Sequence, residues 1–302
     1  MRKLFLLICV FAVLGCNNTS EKSGKLNVVT TTTMITDLVQ NIGGDLIEVN
    51  GLMGAGVDPH LYKASEGDVS KLYNADIIFY NGLHLEGKLV EVFEKMESTN
   101  KTQVPLAESL DKEGLIGSDY FASNYDPHVW FNIDYFKLFA SKVAEVLAAE
   151  DPDNALVYSE NAKGYQQKLD SLQTEIRATI ESLPKEKRIL VTAHDAFNYF
   201  GNAYEFQVVG LQGLSTATEA GVQDVQRISE FIIENDVKAI FVESSVPRRT
   251  IEALEQAVRS KDHEVKIGGS LYSDALGNPG TEEGTYIGMF RYNVNTIVNE
   301  LK

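Results

Sequence analysis

The stretch DPDNALVYSENAKGYQQKLDSLQTEIRATIESLP, residues 151–184, decides how this chain is built. Apolar residues recur in it at Tyr158, Ala162, Tyr165, Leu169, Leu172, Ile176, Ile180 and Leu183, always three or four apart. That spacing lays one continuous stripe along a helix of 3.6 residues per turn. Asp151 is placed to cap the start, Pro152 suits a first turn, and Pro184 has no amide hydrogen with which to continue. At 1.5 Å per residue such a helix is roughly 50 Å long, too long for an element inside one small lobe. It reads as a spine between two lobes. A coiled-coil arm would need the stripe to run over more heptads.

The segments on either side of the spine echo each other. Residues 48–54 read EVNGLMG and residues 207–213 read QVVGLQG, an offset of 159 (51 to 210). Residues 77–79 read IIF and residues 239–241 read AIF, an offset of 162 (77 to 239). A drift of three residues fits two diverged copies of one unit. Short apolar runs at 26–31, 77–80, 189–192 and 239–242 are typical of buried strands, and amphipathic segments such as 135–147 and 251–258 lie between them. Alternation of this kind predicts an α/β fold with mainly parallel sheets. The expected division is a leader at 1–15, a tether at 16–25, an N-terminal lobe at 26–150, the helix at 151–185 and a C-terminal lobe at 186–302.

Three of the five histidines sit in short, rigid contexts: Asp58-Pro59-His60, Asp126-Pro127-His128 and Thr192-Ala193-His194. Imidazole is the commonest transition-metal ligand, and a residue before proline is held extended, which fixes the turn that aims each of the first two rings. Asp274, in Tyr272-Ser273-Asp274-Ala275, completes a four-ligand set for a divalent metal. Two candidates fall in each lobe, which places the site between the lobes. Any one of the four has an ordinary alternative, a loop histidine or a helix-capping aspartate; the joint pattern favours ligation. Gly51 to Gly56 lets the backbone turn tightly before His60, but its G-x-x-G-x-G spacing is not the dinucleotide fingerprint. His194 is expected just past a strand's C-terminal end, where α/β folds place ligands. Asp274 is expected in a glycine-flanked loop, with Gly268-Gly269 before it and Gly277 after.

Residues 1–15 are a targeting segment: Arg2-Lys3, an apolar run from Leu4 to Leu14, then a small residue before Cys16. The run is too short to span a bilayer comfortably. Val13-Leu14-Gly15-Cys16 resembles a lipobox, so Cys16 is the expected lipidation site and residues 17–25 a flexible tether. Cys9 leaves with the leader, so the mature domain has neither disulfide nor thiol ligand. The net charge is −16, and losing Arg2 and Lys3 takes it to −18. Such a surface repels nucleic acid and anionic headgroups and suits a cation binder.

The whole mature chain resembles the zinc/manganese-type solute-binding lipoproteins of ABC importers, the metal-binding lipoprotein family. The likeness rests on Asp58-Pro59-His60, Asn81-Gly82-Leu83-His84-Leu85-Glu86, Asp126-Pro127-His128-Val129-Trp130 and Val191 to Phe197. Phe241 to Ser245, Ser273 to Gly277 and Gly284-Thr285-Tyr286 complete it. The resemblance implies two (β/α)4-type lobes joined by one long helix, with metal held in the interlobe cleft by His60, His128, His194 and Asp274. It also implies a partner permease, an extracytoplasmic position in periplasm or at the cell surface, and Zn2+ or Mn2+ as transported ligand. Manganese-type members carry glutamate at the position of His194, so histidine there points to zinc. Zinc-type members often carry a histidine-rich loop before the second ligand, and residues 108–125 hold no histidine.

Glu243 ends a predicted strand and is a candidate to orient a ligand histidine from behind, as metal sites require; a structural salt bridge is the alternative. His84 has family-like surroundings, but its place after the strand at 77–80 favours a buried, hydrogen-bonded histidine. His263, among Lys261, Asp262 and Glu264, reads as solvated surface. Trp130, Phe121, Tyr125, Phe131, Phe197 and Tyr199 are expected to wall the cleft. The leading function is a non-enzymatic, membrane-anchored, monomeric receptor that hands a divalent metal to an importer, with Zn2+ favoured over Mn2+. A metal-dependent hydrolase would need a general base, for which Asp195 is the candidate, and no H-E-x-x-H motif accompanies it. A surface adhesin is the third reading, without a repeat array to support it. The long helix predicts modest motion between lobes.

Overall fold

A computed structural model describes residues 24–99, 101–119 and 121–302. The leader, Cys16 and the tether up to residue 23 lie outside them. The first lobe alternates β1 (Leu26–Thr30), α1 (Thr33–Gly43), β2 (Ile47–Gly51), α2 (Glu66–Asn74), β3 (Ile77–Tyr80), α3 (Val90–Met96), β4 (Thr102–Pro105) and α4 (Ile133–Glu150). α5 (Ala155–Glu181) follows. The second lobe repeats the alternation with β5 (Ile189–His194), α6 (Asn198–Tyr204), β6 (Gln207–Gln212), α7 (Val222–Glu234), β7 (Ala239–Glu243), α8 (Arg249–Arg259), β8 (Lys266–Leu271) and α9 (Tyr286–Leu301).

Every ladder is parallel. The first sheet runs β2-β1-β3-β4. In the second lobe β5 pairs with β6 and β7 with β8, and β5 lies against β7, so the same order is repeated with a looser middle. The echoed heptapeptides thus fall on β2 and β6, and the echoed tripeptides on β3 and β7. Gly268 and Gly269, expected in a loop, belong to β8, where the register shifts against Ile240 and Phe241.

Side-chain alternation explains why these strands are apolar on both faces. Val28, Ile77, Phe79, Leu190, Ala239 and Phe241 enter one large core. Their neighbours Val29 and Ile78 enter a second core under α2 and α3. Val191, Ala193, Ile240 and Val242 enter a third under α7 and α8. The large core is shared by the lobes. It holds the whole buried stripe of α5, with Leu38 of α1, Phe136 of α4 and Phe290 and Val298 of α9. The spine therefore packs on α1 and α4 from one lobe and α9 from the other.

The helix is shorter than its stripe suggested. Its α-helical part is 27 residues, about 40 Å, preceded by a 3-10 turn at Pro152–Asn154. Asp151 does not cap through the backbone. Its carboxylate instead accepts hydrogen bonds from Asn154 Nδ2 and Tyr158 OH, both at 2.7 Å. α5 ends before Leu183 because a residue preceding proline disfavours helical backbone angles. Asp37 of α1 ties all three parts together: its Oδ2 accepts from Tyr165 OH of the spine at 3.2 Å and from the Tyr286 amide of α9 at 3.1 Å. Burial raises its pKa above the ordinary carboxylate value, opposed by those hydrogen bonds. Tyr286 also stacks on Phe136 with ring centroids 3.7 Å apart.

A shared core predicts joint unfolding. Leu169→Ala, at a fully buried position of the stripe, should cost about 2–5 kcal/mol in chemical denaturation. Lys168→Ala on the exposed side of the same turn should change stability by less than about 0.5 kcal/mol. Both variants should unfold in one transition; separate transitions for the two lobes would contradict the shared core.

Candidate metal site

Because the strands run parallel, their C-terminal ends open on one cleft, and the loops leaving them carry the polar residues. His194 is itself the last residue of β5, and Asp274 follows β8 by three residues. His60 lies between β2 and α2, and His128 between β4 and α4. One ligand-type atom from each of the four lies within 4.8 Å of the others. All four are buried, with exposures of 4%, 0%, 0% and 1% for His60, His128, His194 and Asp274.

The separations are those of a coordination shell. Nitrogen or oxygen donors about 2.0–2.1 Å from a tetrahedral ion lie roughly 3.3–3.4 Å from one another. His60 Nε2 and His128 Nε2 are 3.3 Å apart. Asp274 Oδ2 is 3.2 Å from His194 Nε2 and 3.8 Å from His60 Nε2. Asp274 Oδ1 is 3.6 Å from His128 Nε2. Among the described residues neither Asp274 oxygen accepts a hydrogen bond, and His194 Nε2 likewise lacks a partner. Buried polar atoms without partners are rare, and here they converge on one point. A divalent cation is what such a donor set fits.

The electrostatics follow from burial and from Asp274. Burial pushes the His60 imidazole down to about 3, although Asp274 pulls the other way. Burial also disfavours protonated His194, but the Glu243 and Asp274 carboxylates outweigh it and hold this imidazole well above its ordinary value. Burial would raise Asp274; the three histidines, His194 foremost, instead hold its carboxyl well below the usual range. Burial thus favours the neutral ring at His60, while the two carboxylates favour the protonated ring at His194.

Each histidine is aimed from behind. Asp126 Oδ1 accepts the His128 amide at 2.9 Å and lies 2.7 Å from its Nδ1, which leaves Nε2 facing the cluster. Asp58 Oδ1 accepts the His60 amide at 2.8 Å. Glu243, at the end of β7, accepts the His194 amide on Oε1 at 2.8 Å, and its Oε2 lies 2.5 Å from His194 Nδ1, out of line for a hydrogen bond. Trp130 packs edge-on to His128 at 5.3 Å and donates its indole hydrogen to the Ser273 carbonyl at 3.0 Å, fixing the residue before Asp274. Phe121 meets His60 edge-on at 6.4 Å. Phe131 and Phe197 pack on each other in the shared core at 4.4 Å. Tyr199 donates to the Asp126 carbonyl, and Tyr125 is half-buried opposite Gly117.

Some residues stand elsewhere than the sequence suggested. His84 is exposed rather than buried, and it makes no hydrogen bond among the described residues. It is the third of three left-handed positions, Gly82, Leu83 and His84, with φ of 81°, 49° and 62°. The cause is Glu86, which the sequence did not single out. Its buried carboxylate accepts the Asn81 and Gly82 amides and the Thr31 hydroxyl, so the turn closes over it and His84 points outward. His263 is half-buried beside Asp236, at 3.8 Å, rather than solvated. Asp195 spends Oδ1 on the Gly210 amide, a structural task. The orienting roles of Asp58 and Asp126 were also missed, although the repeated Asp-Pro-His was the available signal.

Residues 28–300 match the family model described as "Zinc-uptake complex component A periplasmic" (ZnuA). The manganese-binding lipoprotein MntA of Bacillus subtilis is 46% identical over 301 residues, covering 98% of this chain and 97% of that protein. The zinc-binding protein TroA of Treponema pallidum is 47% identical over 278 residues, covering 92% and 89%. A solved structure of that periplasmic zinc-binding protein superposes with a TM-score of 0.89, covering 92% of this chain and 99% of the other. With the match running along nearly every described residue and the fold shared at a TM-score of 0.89, the chain belongs to the ZnuA family of periplasmic zinc-uptake components.

Proposed function

We propose that this chain is an extracytoplasmic receptor, anchored through a lipid on Cys16, that captures a divalent transition metal and delivers it to the permease of an ABC importer. The observation that carries the reading is the convergence of four buried donors, two from each lobe, one of them a carboxylate that accepts no hydrogen bond among the described residues. His60, His128, His194 and Asp274 are the proposed ligands, with Glu243 orienting His194. Residues 26–150 and 186–302 are the two lobes that supply them, and the receptor acts as a monomer. Four protein ligands leave the ion no open position for an activated water, as in closed zinc sites, so the role is carriage rather than catalysis. Three imidazoles and one carboxylate favour Zn2+. Mn2+ is the second cargo, because both Asp274 oxygens face the histidines and a bidentate carboxylate would add an oxygen for a harder ion. MntA and TroA, similar to this chain at nearly equal identity, are named for manganese and for zinc.

Metal should stabilise the folded chain, since the donors converge only in the native state. At about a thousandfold excess over Kd, Zn2+ should raise the melting midpoint by roughly 10 °C, reversed by a chelator. His60→Ala, His128→Ala, His194→Ala and Asp274→Ala should each abolish most of that rise, while His84→Ala and His263→Ala should keep it. A melting midpoint indifferent to metal would sink the proposed site.

Proton release gives an independent check. Burial favours the neutral ring at His60, with its pKa pushed down to about 3, whereas the Glu243 and Asp274 carboxylates favour a proton on His194 that the metal must displace. The sign is therefore fixed: affinity falls on acidification, and the fall begins above the ordinary histidine pKa because that of His194 is raised. Calorimetry in two buffers of different ionisation enthalpy should find a net release of protons on Zn2+ binding at pH 7. Glu243→Gln should reduce that release, since Glu243 is a main source of the raised value. Three protons released at pH 7 would show that the rings are not tuned apart in this way.

A further inference from the structure

The two Asp-Pro-His turns share a feature that their local geometry does not require. Each aspartate uses one carboxylate oxygen on its own histidine and offers the other to the opposite lobe. Asp58 Oδ1 holds the His60 amide, while its Oδ2 accepts a hydrogen bond from the Thr216 hydroxyl at 2.5 Å. Asp126 Oδ1 holds His128, while its Oδ2 accepts from Asn198 Nδ2 at 3.1 Å. Thr216 is buried in the loop between β6 and α7, and Asn198 is the first residue of α6, so both donors come from the second lobe. Asn198 Nδ2 also contacts the Asp195 carbonyl at 3.3 Å, one residue after His194.

We propose that Thr216 and Asn198 are positioning residues that couple the second lobe to the two first-lobe histidines and so set how long the metal is retained. Resting on the receptor function proposed above, this adds the device that governs release. The link is two hydrogen bonds in series: second lobe to aspartate, aspartate to histidine. A carboxylate held at both oxygens cannot swing, and the amide it grips stays in place. When the lobes move apart, the outer bond of each pair breaks first. The freed carboxylate then no longer fixes the turn, and the imidazole leaves ligating geometry. Neither Thr216 nor Asn198 is one of the four proposed ligands or part of the core that joins the lobes, so that core does not depend on the two bonds. The same arrangement at both turns sets it apart from incidental surface pairing.

The test is release of Zn2+ from the loaded full chain into excess chelator, followed by stopped flow, with wild type, Thr216→Val, Thr216→Ser and Asn198→Ala. Valine keeps the shape of threonine and removes the hydroxyl; serine keeps the hydroxyl. Hydrogen bonds to a charged group predict release roughly tenfold faster in Thr216→Val and in Asn198→Ala. Thr216→Ser should stay within about twofold of wild type, and every variant should still unfold in one transition when metal-free, with a midpoint lowered by at most the few degrees that one lost hydrogen bond costs. Release within about twofold of wild type in both Thr216→Val and Asn198→Ala would overturn the proposal. So would a Thr216→Ser as fast as the valine variant, or equal acceleration in Leu169→Ala, which destabilises the fold while leaving both bonds in place. A wild type that holds no Zn2+ would overturn the receptor function and this device together, whereas tight wild-type binding with unaltered variants would overturn the device alone.

Discussion

A buried carboxylate that accepts no hydrogen bond must be answered by positive charge, and among the described residues Asp274 is such a group. Three imidazoles stand within 3.8 Å of its oxygens. Of these, His194 stands between Asp274 and the Glu243 carboxylate behind it, and the two carboxylates together raise its pKa. The cluster is therefore a charge pattern assembled in advance for a cation. Much of the surrounding architecture serves to hold it in a dry place: the parallel strands that deliver four loops to one cleft, the tryptophan that pins Ser273, the aspartates behind His60 and His128.

Holding two lobes in one register demands more than a hinge. The stripe of α5 enters a core that contains strand residues from both lobes, and Asp37 joins α1, α5 and α9 at a single carboxylate oxygen. Such a spine resists wide opening, because separating the lobes at that end would expose packed aromatic and aliphatic surface. At the cleft, Thr216, Asn198 and the ligand loops add hydrogen bonds across the gap to the apolar contact of Phe131 with Phe197.

Much of this was legible in the chain itself. The three-and-four spacing from Tyr158 to Leu183 marked the spine, and the echoed heptapeptides at 48 and 207 marked the matching β2 and β6. That His60, His128, His194 and Asp274 gather in one cluster was readable because rigid local contexts surround rare residue types. What was not legible depended on distant partners. The sequence around His84 looks like that of a buried residue, and only the accepting geometry of Glu86 turns it outward. Asp151 has the composition of a helix cap, but Tyr158 and Asn154 offer its carboxylate better donors than the backbone does. Gly268 and Gly269 look like loop residues, yet the ladder to β7 absorbs them with a register shift. Nothing in the spacing of Thr216 to Asp58, 158 residues apart, hints that they meet.

The two-and-two origin of the cluster has a further consequence. Each lobe alone offers only a bidentate chelate, and the full grip exists only while both halves are in register. Affinity is then a function of a mechanical coordinate, the gap between the lobes, as much as of ligand chemistry. A force that widened this gap by about an ångström would stretch metal–ligand bonds of about 2 Å beyond coordinating length. An agent pulling on the outer surfaces could thus lower affinity without competing for the ion or entering the cleft. Unloading becomes a matter of leverage.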